Sequence, residues 1–142
     1  MGKVLVTATI EDLEDLFDAE KGTLPRDQVR RVEVTDALVD TSASGLTMPK
    51  RMIASLGLRP TRMRQARGIG STVPPPMYSA VRLTIQGRDC SLDIGETSDE
   101  SSVTVGQIPL VLLDWVVDLN GQRLIGNPEH GGQHMMDAFS IR

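Results

Sequence analysis

The chain has 142 residues, a mass of 15.5 kDa and a formal net charge of −4; it is the size of one ordinary domain and large enough to bury a core without staples. Hydrophobic residues at 39% against 24% charged exclude a chain disordered throughout, and a sequence pI of about 5.1 argues against a dedicated nucleic-acid binder. Aromatic residues at 3% are too few for a base-stacking surface, and no apolar run approaches the roughly 20 residues that span a bilayer, so neither nucleic acid nor membrane is expected as a partner.

Met1 to Ile10 lacks the long apolar stretch and small-residue cleavage site of a leader and reads as a mature N-terminus. Its β-branched run Val4 to Ile10 predicts a strand. Glu11 to Lys21 is acidic, with Leu13, Leu16 and Phe17 near helical spacing. It reads either as a helical turn or as a solvated charged excursion closed by Gly22 and broken by Pro25. Gln28 to Asp36 alternates as a strand with one polar face, and Ala37-Leu38-Val39 reads as a separate short buried strand. It runs directly into Asp40-Thr41-Ser42-Ala43-Ser44-Gly45.

Pro49 to Leu58 is the best helix candidate, with Pro49 in the first turn, a stripe of Met52, Ile53 and Leu56, and Gly57 as the stop. Arg59 to Arg67 is basic and balances local charge; Gly68-Ile69-Gly70-Ser71 reads as a turn tip. Pro74-Pro75-Pro76 cannot sit in a central strand. Val81 to Ile85 and Cys90 to Ile94 form a hairpin about Gln86-Gly87-Arg88. Gly95 to Ser102 reads as an acidic loop, and Val103-Thr104-Val105-Gly106 as a strand closed by a turn. Ile108 to Val117 predicts a short helix plus a strand, Asn120-Gly121 a turn, and the tail from Gly131 is glycine-rich. The single cysteine, Cys90, excludes an internal disulfide, reads as a small buried hydrophobe, and points to a reducing, cytoplasmic compartment. With no repeat and no boundary in composition, residues 1–142 read as one all-β domain with one or two short helices.

The segment that carries chemistry is Ala37 to Ser44. A carboxylate at the end of an apolar strand is costly unless hydrogen-bonded, and the hydroxyl residues after Asp40 can supply such bonds. An Asx-type turn capping a strand end explains the same residues.

The segment resembles the active-site loop of the retropepsin-like (retroviral-like) aspartic protease family, which reads apolar-apolar-Asp-Thr/Ser-Gly-Ala/Ser. Val103-Thr104-Val105-Gly106 is similar to the family's later apolar strand ending in glycine, and Gly68-Ile69-Gly70 to its flap tip. The stretches Gln107 to Leu110 and Asn127-Pro128-Glu129-His130-Gly131-Gly132, with Met1 to Ile10, look like a bacterial branch of that family. The resemblance implies a retropepsin-like acid-protease fold, a closed β-barrel with a flap hairpin, and an aspartic endopeptidase without a cofactor. It implies Asp40 as the catalytic carboxylate, with Thr41, Ser42 and Ala43 completing its loop. Gly68, Ile69 and Gly70 would close over a peptide or unfolded-protein substrate, and Val105 and Gly106 would pass close behind the loop. One loop per chain implies a homodimer with Asp40 and its mate at the twofold axis, Thr41 bonding across it.

Ser42 departs from the family pattern, which has glycine there. Glycine marks positive φ or close approach, where serine costs about 1 kcal/mol or more, and the hydroxyl could also bond the carboxylate. Two functional readings therefore stand: an active homodimeric endopeptidase, and a catalytically weak or inactive module of the same fold that binds peptides or assembles. Serine as nucleophile is a poor alternative, because His130 and His134 sit in a glycine-rich tail with nothing to mark them as its base. The same glycines, and the lack of a helix-borne glutamate between the two histidines, argue against a metal site.

Overall fold

The computed structural model describes residues 3–62 and 75–134. Its strands are β1 (Val4–Asp12), β2 (Arg31–Val39), β3 (Leu46–Pro49), β4 (Arg59–Arg62), β5 (Met77–Ile85), β6 (Arg88–Thr97), β7 (Thr104–Val105), β8 (Trp115–Asp118) and β9 (Arg123–Gly126). Three α-helices accompany them: α1 (Leu13–Lys21), α2 (Lys50–Leu56) and α3 (Gln107–Leu113). Short 3-10 turns lie at Arg26–Gln28 and Pro128–His130. The sheet runs β1-β2-β7-β3-β6-β5, and β5 pairs back onto β1, closing a six-stranded barrel. This is the all-β, retropepsin-like architecture that the sequence implied. Among the described residues no helix is long and apolar enough to cross a membrane.

Alternation builds the barrel: in β1, Val4, Val6, Ala8 and Ile10 turn inward while Leu5 and Thr7 face out. β2 is one strand, where its alternation suggested two. Its pairing with β1 steps from Val6↔Ala37 to Ala8↔Val34, so Thr35 and Asp36 oppose Thr7 alone. That extra residue is a bulge. It lets both Val34 and Ala37 face the core, and the broken period made the strand read as two. Ile10, Leu46, Met48, Leu56, Leu83, Ile85, Ile94 and Leu113 are fully buried and form an aliphatic interior.

The acidic run after β1 is a full helix. Asp12 caps it, its Oδ1 accepting from the amides of Glu14 (2.9 Å) and Asp15 (3.3 Å), and Gly22 ends it in the left-handed region at φ 83°. Part of this run is buried, against the expectation of a solvated loop. Glu11 is 6% exposed between the guanidinium groups of Arg31 (3.0 Å) and Arg82 (2.9 Å). Asp15 takes Arg30 Nε at 2.9 Å and Nη2 at 3.1 Å. The expected helix after Pro49 is α2; Pro49 precedes it as the last residue of β3, and Gly57 caps it at φ 63°. The acidic loop after Ile94 begins later than expected, because β6 continues to Thr97. Pro75 and Pro76 precede a strand without entering it: β5 starts at Met77, and the carbonyl of Pro76 accepts from the Glu96 amide at 3.0 Å. α3 and β8 are the short helix and strand expected over Ile108 to Val117, α1 is the helix beyond the one or two expected, and β8 and β9 form a separate hairpin about the Asn120-Gly121 turn.

Candidate functional site

Asp40 sits where β2 ends, and a wedge of later chain fixes it there. The two-residue strand β7 lies between β2 and β3, parallel to the first and antiparallel to the second. The Leu38 amide donates to Val103 O (2.8 Å), and the Asp40 amide donates to Val105 O (3.0 Å). Beyond Asp40 the loop closes on itself through the Ala43 amide and Asp40 O (3.1 Å). It then meets the start of α3. The amides of Gly106, Gln107 and Ile108 donate to Gly45 O (2.9 Å), Ala43 O (2.8 Å) and Ser44 O (2.8 Å). Donors that a helix start leaves unpaired thus serve as the loop's seat, and α3 has no side-chain cap. Gly106 is required by proximity: a Cβ there would lie 2.6 Å from Gly45 O and 2.7 Å from Ala43 O.

The carboxylate is held by Ser42, whose amide and hydroxyl both donate to Asp40 Oδ1, at 3.0 and 2.6 Å. These bonds, the hydroxyl's first, hold the Asp40 carboxyl below the ordinary aspartate range. The non-glycine residues of positive φ among those described are Gln86, Asp114 and Gln122. Ser42 is thus free of the left-handed strain expected of a residue in a glycine position. Asp40 lines a cavity of about 360 Å³ together with Lys3, Leu38, Val39, Thr41, Val117 and Leu119. Thr41 is exposed at its rim.

The expected flap tip, Gly68, Ile69 and Gly70, lies outside the described residues. The strands flanking that segment are paired: β4 meets β5 through Arg59↔Ser79, Pro60↔Tyr78 and Arg62↔Met77.

One polar cluster was not legible in sequence. Asp114, at φ 59° after α3, accepts from Asn127 Nδ2 (3.2 Å) and lies 2.6 Å from His130 Nδ1. Arg88 donates to the carbonyls of Leu113 (3.1 Å) and Asp114 (2.8 Å) and stacks on Trp115 at 3.9 Å. This cluster anchors the segment after β9 to the barrel and leaves a cavity of about 400 Å³ against Val111, Trp115 and Val116. Asn127-Pro128 signalled a turn, but no spacing tied it to Asp114. Among the described residues no group of three or more His, Cys, Asp or Glu is placed to hold a metal ion.

The family described as Aspartyl protease matches residues 28–126, a span that covers well over half of the chain and contains the Asp40 loop, β7 and α3. No curated protein matches the chain.

Proposed function

The chain belongs to a retropepsin-like family of aspartyl proteases, and from that premise we propose that it is a homodimeric endopeptidase in which Asp40 of each subunit forms the catalytic dyad. The observation that carries this reading is the seating of a single carboxylate. Asp40 reaches a cavity mouth from a loop fixed on one side by Val105 and on the other by the amides that start α3.

Hydrolysis by this route needs two carboxylates sharing one proton, because like charges about 3 Å apart cannot both ionise. The ionised one takes a proton from water as it attacks the scissile carbonyl, and the protonated one hydrogen-bonds that carbonyl oxygen. With one Asp-Thr loop per chain, the second carboxylate comes from a second copy. Apolar residues beside the loop support that pairing: Leu119, on the Asp40 cavity, is 79% exposed, and Leu5 of β1 is 53% exposed. Thr41 at the rim would bond across the axis. The β4–β5 arms would carry a flap over an extended peptide or unfolded segment, excluding water as it closes.

The second reading, a peptide-binding module without turnover, draws on Ser42 in a glycine position. The unstrained backbone of Ser42 weighs against it.

The test is cleavage of a diverse peptide mixture between about pH 3 and 7.5, the range in which a carboxylate dyad holds one proton. Wild type is expected to cleave. Asp40→Asn is expected to lose all cleavage and keep its dimer. Full activity in Asp40→Asn would remove the proposal. Peptide binding without turnover at any pH would establish the second reading.

A further inference from the structure

We propose that Ser42 is a positioning residue for the dyad, its hydroxyl keeping Oδ1 of Asp40 as the unprotonated, hydrogen-bond-accepting oxygen and confining the catalytic proton to Oδ2. The inference rests on the protease reading above and deepens it.

The geometry is specific to this side chain. Ser42 gives Oδ1 two donors, the hydroxyl at 2.6 Å and its own amide at 3.0 Å. The hydroxyl distance is that of a charge-assisted O–H···O⁻ bond, about twice as strong as a neutral one. Glycine, alanine or any other residue except proline at position 42 would keep the amide donor. Only serine or threonine adds the second. An oxygen with two donors aimed at it cannot carry a proton without losing one of them. Both donors that Ser42 supplies converge on Oδ1, which favours Oδ2 for a proton on Asp40.

This has a consequence for pH. Both aspartates of a symmetric dimer would carry the same hydroxyl, so both proton affinities fall. The singly protonated dyad then exists over a more acidic window. The other charged group on the Asp40 cavity is Lys3, ahead of β1. Val117 and Leu119, which the β8–β9 hairpin brings to the cavity, carry no charge, and Asp118 between them is paired with Arg123 at 3.2 Å. β7 and the first turn of α3 bring no titratable side chain. Lys3 acts in the same direction as Ser42, so the test varies the two separately.

The experiment has two arms: the pH dependence of kcat/KM, and a carbon-13 NMR titration of the Asp40 carboxyl. Both use full-length wild type, Ser42→Ala, Ser42→Thr and Lys3→Gln. Ser42→Ala is expected to move both limbs of the profile toward alkaline pH and to raise the Asp40 titration. Its kcat/KM at the acid end should fall several-fold relative to wild type at the same pH as the acidic edge of the window recedes. Ser42→Thr is expected to restore the wild-type profile, and Lys3→Gln to leave a difference between serine and alanine intact. Profiles and titrations that superimpose for Ser42→Ala and wild type would overturn the inference. So would a failure of threonine to restore either. If no protein cleaves yet the carboxyl titrates lower with serine than with alanine, the assignment of Ser42 stands and the protease reading falls.

Discussion

Two positions where the family pattern has glycine, one in the Asp40 loop and one behind it, have opposite requirements, and only one of them needs glycine. Gly106 has loop carbonyls where its Cβ would be, at 2.6 and 2.7 Å, whereas position 42 has ordinary φ and accepts serine. Gly106→Ala is therefore expected to push the loop off β7. That should cost about 1–3 kcal/mol in urea unfolding, as overpacking against fixed backbone does, with activity falling further than stability. Cys90 offers a check on burial. Desolvation raises its thiol to about 11, so at pH 8 the native protein should react with iodoacetamide far more slowly than the urea-unfolded chain. Rapid labelling of the native state would place Cys90 outside its present surroundings. Asp40 stood out in sequence as a carboxylate ending an apolar strand, and Gly106 only through the family resemblance. Asp114 and His130 were not, because sixteen residues and a hairpin separate two groups that meet only in the folded chain.

Elements were legible where one period ran unbroken. The hairpin of β5 and β6 was readable from alternation and Gln86-Gly87, and α2 from its apolar stripe. β2 was split in the reading because its bulge resets the period at Thr35–Asp36. α1 was left open because the acidic run from Glu11 looks solvated until its arginines are in place: Arg31 of β2 and Arg82 of β5 on Glu11, and Arg30, just ahead of β2, on Asp15. The pair that fixes α1 to the start of β2 has a definite acid signature. Hydrogen bonds from Arg30 hold the Asp15 carboxyl below its ordinary value of 3.8. A lowered folded value contributes stability that is fully present above the unfolded value and lost as pH falls through the folded one. Asp15→Asn is thus expected to destabilise by about 1–2 kcal/mol at pH 7, with half-exposed Arg30 limiting the effect. The gap from wild type should close below about pH 4. Asp12, raised chiefly by burial, works in the opposite sense and softens the acid loss of wild type. A mutant gap that persists at pH 2.5 would show that the pair acts by packing instead of charge.

At the scale of the whole molecule, closure and pairing are separate problems. The barrel closes within one chain through β1 and β5, so each subunit has its own core. The proposed dimer then forms from folded halves. Specific activity should rise with protein concentration until the dimer saturates. Leu119→Asp, at a position 79% exposed, is expected to abolish that activity and leave sedimentation at the monomer value, with the thermal midpoint of the subunit unchanged. A monomer that cleaves at full rate would remove the twofold site. Barrel class and single Asp loop were readable from sequence. Closure was legible only through the family resemblance, since it depends on β5 leaving β4 to reach β1 midway along its length, a geometric choice that alternation does not encode.

The seat of Asp40 also sets an order of events during synthesis. The loop is made early, but the groups that hold it, Val103 to Ile108, come more than sixty residues later. A chain growing from its N-terminus displays Asp40 on a strand with no wedge beside it until that segment leaves the ribosome. Non-local pairings form late for this reason. On the proposed function, the carboxylate that cleaves would thus have no fixed position while most of the polypeptide is still unfolded, and a nascent chain would hold no competent site with which to cut its neighbours on the same message.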